Sequence, residues 1–160
     1  MDYAKRDAAR MELRRARGFT LVELMIVLMV IVLIVAIATV GAISTRVNTN
    51  EGLAKSSLKS VSSACEGYHV ANGMYPNSLT TLGSNYLDPA LVSGQKSGYA
   101  FEIKSGAQGT SFTCTAVPQS ANYTGVKSFC IDASNLVRIY GNSTITGDGS
   151  ACPAGGTPVT

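Results

Sequence analysis

The sequence has little of what metal and catalytic sites are usually built from. It contains a single histidine, His69, and four cysteines, none of which forms a CxxC pair. A structural zinc site draws on clustered Cys and His ligands, so this pattern favours disulfides over zinc. No stretch combines a nucleophile, an acid and a base. We therefore expect no enzyme activity, no metal and no cofactor, and we interpret His69 as a structural histidine.

Positive charge is scarce beyond residue 18. Residues 1–18 hold six basic and three acidic side chains, and this excess of three equals the formal charge of the whole chain, +3. The remaining residues carry seven basic and seven acidic groups, which cancel. With four cations after the long helix, a track for nucleic-acid phosphates is not expected. Basic residues before an apolar run instead hold an N-terminus in the cytoplasm and direct the following chain across the membrane.

Charge is also nearly absent from residues 19–43, where Glu23 is the single ionisable group. A helix of these 25 residues is about 37 Å long, more than the roughly 30 Å of bilayer hydrocarbon, so it is long enough to span a membrane. A carboxylate inside such a span costs about 2.5–3.5 kcal/mol, so Glu23 is expected to have a function and a partner. The run lacks proline, which predicts an uninterrupted helix.

The order of features around Gly18 differs from that of a secretory signal, in which a small-residue cleavage site follows the apolar stretch. Here the small residue precedes the run, so cleavage after Gly18 would keep the membrane helix. The new α-amino group on Phe19 would lie four residues from Glu23, on the same turn of helix. We expect this amine to be the counter-charge of Glu23, either within the chain or from a neighbouring copy.

The segment RGFTLVE, residues 17–23, followed by an apolar helix, resembles the class III signal of type IV prepilins and type II secretion pseudopilins. The resemblance implies that a membrane prepilin peptidase cuts between Gly18 and Phe19 and methylates the new N-terminal Phe19. It also implies that Glu23 pairs with the amine of the preceding subunit during assembly. The implied partners are other pilin subunits, the peptidase, an inner-membrane assembly platform and, before assembly, membrane lipid.

After Ile43 the helix is predicted to continue in amphipathic form and to end near Asn72, because Gly73 and Pro76 are typical of a helix end. Residues 68–79 also resemble the place where the long pilin helix gives way to a loop. A short helical turn capped by Asn77 or Ser78 should follow. The apolar positions of the continuation recur at spacings of 7, 4, 3, 4 and 3 residues, as one stripe of a helix: Val47, Ala54, Leu58, Val61, Cys65 and Tyr68.

Four short strands are predicted from aromatic and β-branched content between turn signals, at 99–104, 110–117, 127–133 and 136–140. The predicted fold is α+β and pilin-like, with a long N-terminal α-helix, transmembrane in its N-terminal half, packed on a small antiparallel β-sheet. The predicted organisation has four parts. They are a cytoplasmic leader (1–18), a transmembrane or filament-core helix (19–43), its amphipathic continuation (44–73) and a globular head with a disulfide-stapled C-terminal region (74–160).

The even number of cysteines indicates disulfides and an oxidising compartment. The candidates are Cys65, Cys114, Cys130 and Cys152. A turn centred near Asn122 would set Cys114 opposite Cys130, which favours that bridge and leaves Cys65 for Cys152. A register shift of one residue reverses the argument, so all three pairings stay open. The pilin resemblance implies instead a staple from the C-terminal loop to the sheet, which joins Cys152 to a strand.

Together these features predict a structural subunit, a prepilin that assembles through its N-terminal helix into a type IV pilus for adhesion, motility or related surface functions. The alternative is a minor pilin or a type II secretion pseudopilin that primes or caps a filament, or that binds a secreted protein, DNA or a surface. The precursor is expected in the bacterial inner membrane, crossing it once with a cytoplasmic N-terminus. The assembled protein is expected in an extracellular pilus or a periplasmic pseudopilus. Asp132 and Asp148 are interpreted as turn residues, because the spacing of a calcium loop is absent.

Overall fold

A computed structural model of the chain describes residues 18–141 and 144–159, without the side chains of residues 38–42. Residues 1–17 of the predicted leader, with its basic cluster, lie outside the described residues. The chain divides into two compact units, Met1–Val40 and Gly41–Thr160. Among the described residues, no helix has an apolar stretch long enough to cross a membrane.

The described residues form a long helix, two short helices and an antiparallel sheet. In chain order the elements are α1 (Leu21–Asn72), α2 (Leu79–Tyr86), α3 (Pro89–Val92), β1 (Gln95–Lys96), β2 (Tyr99–Ser105), β3 (Phe112–Pro118), β4 (Ser128–Asp132), β5 (Arg138–Tyr140) and β6 (Thr157–Pro158). The strands lie side by side in sequence order, each antiparallel to the next. The predicted α+β fold is confirmed, and the four predicted strands correspond to β2–β5. The two-residue edge strands β1 and β6 and the helix α3 were not predicted.

In the second unit, the predicted apolar stripe of α1 faces the sheet. Ala54, Leu58, Val61 and Cys65 have no exposed surface. They belong to one core cluster with inward-facing residues of β2, β3 and β4, among them Tyr99, Phe101, Ile103, Phe112, Cys114, Ala116, Phe129 and Ile131. Burial of each large apolar side chain contributes about 1.5–3 kcal/mol. The stripe therefore explains why this part of α1 and the sheet fold as one unit.

The end of α1 follows the predicted chemistry. The helix ends at Asn72, and Gly73 has a φ of 74°, in the left-handed region where glycine carries no Cβ penalty. The backbone N–H of Gly73 donates to the carbonyl of His69 at 2.8 Å, which closes the last turn. Ser78 then caps α2 by accepting a hydrogen bond from the N–H of Thr81 at 3.2 Å, as expected.

The loop between β3 and β4 is fastened to α1 by a buried carboxylate. Glu51 is 7% exposed, and its Oε1 accepts hydrogen bonds from the backbone N–H groups of Val126 at 3.2 Å and Lys127 at 3.3 Å. The ammonium of Lys127 lies 3.5 Å from the other oxygen of Glu51. The preceding residue, Asn50, donates its side-chain amide to the carbonyl of Thr124 at 2.9 Å. Backbone donors and an acceptor of this loop are thus bonded by side chains of the helix.

The C-terminal segment covers the sheet face opposite α1. Gly149 donates its N–H to the hydroxyl of Thr113 at 3.0 Å and accepts a hydrogen bond from Ser111 at 2.9 Å. A Cβ on Gly149 would collide with the backbone of Ser105, so the segment can approach the sheet this closely only with glycine there. A small second cluster, built from Cys130, Tyr140 and Ile145, seals this face.

One disulfide staples this segment to the sheet, between Cys130 on β4 and Cys152. The bridge favoured by the sequence, Cys114 to Cys130, is wrong, and so is its remainder, Cys65 to Cys152. The register sets Cys114 opposite Ile131 rather than opposite Cys130, so the two cysteines lie on opposite faces of the sheet. The staple that the pilin resemblance implied, from the C-terminal loop to a strand, is the one observed. Cys65 and Cys114 are free and buried.

Asp132 and Asp148 are turn residues, as predicted. The Oδ1 of Asp148 accepts the N–H groups of Ser150 at 2.8 Å and Ala151 at 3.2 Å. Asp132 accepts from the N–H of Ser134 at 3.0 Å through one oxygen and from the N–H of Cys152 at 3.0 Å through the other. Burial acts to raise the pKa of Asp132, but a hydrogen bond from the hydroxyl of Ser134, these two backbone hydrogen bonds and the nearby Arg138 hold it below its ordinary value of 3.8.

Asp132 should make the stability of the head depend on pH. Since its folded pKa is lowered, its contribution is complete above the ordinary value of 3.8 and is lost as pH falls through the lower folded value. We expect Asp132→Asn to reduce the free energy of unfolding by about 1–3 kcal/mol at neutral pH and by less in acid. Urea unfolding of the full chain in detergent, followed at a series of pH values, measures the difference. The matched control is Glu102→Gln on the exposed side of β2. Its difference in the free energy of unfolding from the wild type should not become smaller in acid.

Candidate processing and assembly site

The first turn of α1 is closed by a side chain that precedes it. Residues 18–20 are not helical, and the helix begins at Leu21. The hydroxyl oxygen of Thr20 accepts a hydrogen bond from the N–H of Glu23 at 3.1 Å, and the carbonyl of Thr20 accepts from the N–H of Leu24 at 3.2 Å. Thr20 is therefore the N-cap, and Glu23 occupies the third helical position. This is the T-x-x-E arrangement of a capping box.

The position of Glu23 in the first turn of α1 is electrostatically favourable. The first turn of a helix exposes unpaired N–H groups and the positive end of the helix dipole, which favours an acidic side chain there. The sequence predicts a counter-charge for the carboxylate, and Thr20-Leu21-Val22-Glu23 also contains the capping pattern, which that prediction leaves out. In the uncleaved chain, Phe19 lies outside the helix, which begins at Leu21.

The peptide bond between Gly18 and Phe19 lies in an open segment. Gly18 is exposed, and the side chain of Phe19 is 74% exposed. A Cβ built on Gly18 meets no described atom within 4 Å, and the backbone of Gly18 is not in the left-handed region. Nothing within the described residues therefore requires glycine at this position.

The helix that follows presents apolar side chains in every direction. Each described side chain from Leu21 to Ile37 is exposed. The large apolar ones have between 46% and 77% of their surface accessible. Seventeen consecutive residues make about four to five helical turns, so no face of this stretch is polar. An exposed apolar surface of this extent marks a contact with membrane or with other protein. Glu23 is the single charged group on it.

Residues 13–39 match the family model described as the prokaryotic N-terminal methylation motif. The chain carries the class III signal of type IV pilins and pseudopilins. The matched residues include the candidate cleavage point, the N-cap and Glu23. A comparison with the curated proteins gave no significant match.

The class III signal supports a type IV pilin or pseudopilin, which is a structural and not an enzymatic kind of protein. It fits a membrane-anchored prepilin that is processed by prepilin peptidase and assembles with other pilin subunits. The long helix packed on an antiparallel sheet agrees with a pilin-like fold.

His69, which the sequence suggested to be structural, packs at the C-terminal end of α1. Its ring stacks on that of Tyr75 with centroids 4.3 Å apart and an interplanar angle of 11°. The hydroxyl of Tyr75 donates to the carboxylate of Glu66 at 3.0 Å, and burial together with this bond raises the pKa of Tyr75. Within the described ranges, no three His, Cys, Asp or Glu side chains converge to hold a metal ion. These contacts hold the loop that follows α1 against the end of the helix. They give His69 a packing role there.

Removal of the Thr20 hydroxyl should loosen the first turn of α1. We expect Thr20→Val to destabilise the cap by about 0.5–2 kcal/mol, which corresponds to about 2- to 30-fold faster exchange of the Glu23 amide hydrogen. Hydrogen exchange in detergent, read by NMR, measures this change. The matched control is Thr49→Val, since the hydroxyl of Thr49 donates to the carbonyl of Thr45 in the middle of the helix. The cap assignment is wrong if both variants leave the Glu23 amide unchanged.

Proposed function

We propose that this chain is a prepilin and that its mature part, Phe19 to Thr160, polymerises through α1 into a type IV pilus used for adhesion, motility or a related surface function. The observation that carries the proposal is the stretch Leu21–Ile37, which exposes apolar side chains on all sides and holds one carboxylate in its first turn. Such a surface is stable in water only when something covers it. Neighbouring copies of the same helix provide a cover of the same apolar character.

Before assembly, the same surface is covered by lipid. The apolar run 19–43 is long enough to cross the inner membrane once, and the basic residues of the leader keep its N-terminus in the cytoplasm. The proposed parts follow from this topology. The leader, 1–18, is removed; 19–43 forms the membrane helix and later the filament core; 44–73 continues the helix; and 74–160 forms the exported head.

Cleavage between Gly18 and Phe19 supplies a positive charge that can pair with the carboxylate of Glu23. The new α-amino group on Phe19, methylated by the same peptidase, remains positively charged at neutral pH or close to it. Inside a packed bundle of apolar helices, an unpaired carboxylate is heavily penalised, and the amine of a preceding subunit removes that penalty. Because only one arrangement of neighbouring helices pairs the two groups, the pair sets the register of the filament. Burial of the helix flanks supplies the cohesion.

The backbone N–H of Glu23 also belongs to the helix cap, and charge pairing by the carboxylate and capping by Thr20 predict different behaviour. A glutamine at the third helical position still serves a capping box but carries no charge. A valine at position 20 removes the cap but leaves the carboxylate. Charge pairing and capping can therefore be tested separately on this chain.

We expect Glu23→Gln to be inserted and cleaved normally but to form no filaments. Loss of one partner from a buried ion pair costs about 3–5 kcal/mol, which is more than about 100-fold in the association equilibrium of each subunit. Thr20→Val should still form filaments. Electron microscopy and quantification of sheared surface filaments measure both variants, and the abundance of the wild-type chain in that fraction separates a major pilin from a minor pilin or pseudopilin. Wild-type filament levels in Glu23→Gln would reject the pairing role.

We expect Gly18→Val to retain the leader. A peptidase that accepts glycine before the cut gains a clash from the added carbons, and such misfits slow a reaction by about 10- to 200-fold. The fold itself should tolerate the change, because a side chain at Gly18 meets no described atom. Intact-mass spectrometry of the membrane fraction reports the leader. The control is Gly52→Val, at an exposed glycine of α1 that also has open space around it, where cleavage should proceed unchanged.

A further inference from the structure

The two free cysteines lie on facing surfaces of the core. Cys65 is on the buried stripe of α1 and Cys114 is in the middle of β3, and neither has any exposed surface. In the sheet register, Cys114 is flanked by Ile103 on β2 and Ile131 on β4, which share its core cluster with Cys65. The two thiols therefore occupy the same helix–sheet interface, far along the sequence from each other.

The pKa values of both thiols are raised in the folded core. Burial raises the pKa of Cys114 well above its ordinary value, and the next contribution comes from Cys65. Burial likewise raises the pKa of Cys65 to about 12. A contribution from Cys65 agrees with the position of both residues in one core cluster. The raised pKa values mean that neither thiol is a good nucleophile once the core has closed.

The remaining cysteines leave these two no other partner within the chain. Cys130 and Cys152 are already joined on the opposite face of the sheet. Of the three pairings that four cysteines allow, the observed bridge is compatible with one, in which Cys65 joins Cys114. The burial of both thiols also removes them from contact with a cysteine of another chain.

We propose that Cys65 and Cys114 form a second disulfide in the exported protein, which ties α1 to β3. The inference rests on the proposed function only for the oxidising compartment that export provides. The bond forms by exchange with a disulfide-bearing oxidant, such as an oxidised thiol oxidoreductase or glutathione disulfide. The thiolate of one cysteine attacks the oxidant and releases one thiol; the second cysteine then attacks the mixed disulfide and releases the other. Two protein thiols are oxidised, and one oxidant disulfide is reduced to two thiols.

This exchange has to precede the closure of the core. In the unfolded chain both cysteines are accessible and have ordinary pKa values, whereas the folded core excludes the oxidant. The bond would give the subunit a continuous covalent and hydrogen-bonded path. The path leads from α1 through Cys65 and Cys114 to β3, across the ladder to β4, and through Cys130 to Cys152. A pull on the helix would then reach the C-terminal segment without relying on core packing alone.

The test is to count the free thiols of the exported full chain. The protein is denatured and alkylated with N-ethylmaleimide, with and without prior reduction, and its intact mass is measured. We expect no alkylated cysteine without reduction and all four after it. A non-reducing digest should contain one linked peptide with Cys65 and Cys114, and the link between Cys130 and Cys152 serves as the internal control. Alkylation of Cys65 and Cys114 without reduction would overturn the proposal.

Cysteine variants and a refolded preparation test the link between Cys65 and Cys114 independently of export. In Cys65→Ser, Cys114 should become the one cysteine that is alkylated without reduction, while a variant with Cys130→Ser and Cys152→Ser should keep the first link. The full chain refolded in detergent with reduced and oxidised glutathione should also form the link, and two free thiols there would contradict it. The same mass spectra show whether the leader has been removed. A retained leader with linked thiols would reject the proposed function and leave this inference intact.

Discussion

A helix that is apolar on every side cannot remain exposed to water, and this constraint organises the molecule. The stretch Leu21–Ile37 has no polar face, so membrane lipid or other helices must cover it. The carboxylate of Glu23, in the first turn, is the single charged group on this stretch. Thr20 orders that turn by capping it, and the bond between Gly18 and Phe19 lies in the exposed, non-helical segment just before it.

The same helix changes character along its length. From Ala54 to Cys65, one stripe is fully buried against the sheet, and the remaining surface is polar. The buried carboxylate of Glu51 holds the loop between β3 and β4, and Cys130 with Cys152 holds the C-terminal segment on the other face. A small head with a limited core thus gains order from polar anchors and a covalent bond as well as from burial.

Much of this could be predicted from the sequence, because its strongest patterns are local. Helical spacing predicted the buried stripe of α1, Gly73 marked its end, and aromatic and β-branched runs located β2–β5. The predicted cysteine pairing was wrong because a register shift of one residue moves every side chain of a strand to the other face of the sheet. Turn signals near Asn122 do not define the register to within one residue. The edge strands β1 and β6 were missed because two residues carry no periodicity. The cap at Thr20 could have been predicted from the T-x-x-E pattern, but Glu23 was interpreted only as one member of an ion pair.

The central claim is that the carboxylate of Glu23 meets the amine of Phe19 from a neighbouring subunit. Solid-state NMR on filaments grown from a mixture of two preparations, one labelled with 15N-phenylalanine and the other with 13C-glutamate, tests it directly, since any coupling must then arise between chains. The account predicts a dipolar coupling between the terminal amine nitrogen and a glutamate carboxyl carbon, at the separation of about 4 Å or less that defines an ion pair. Well-ordered filaments in which that amine couples to no glutamate carboxyl carbon would contradict it.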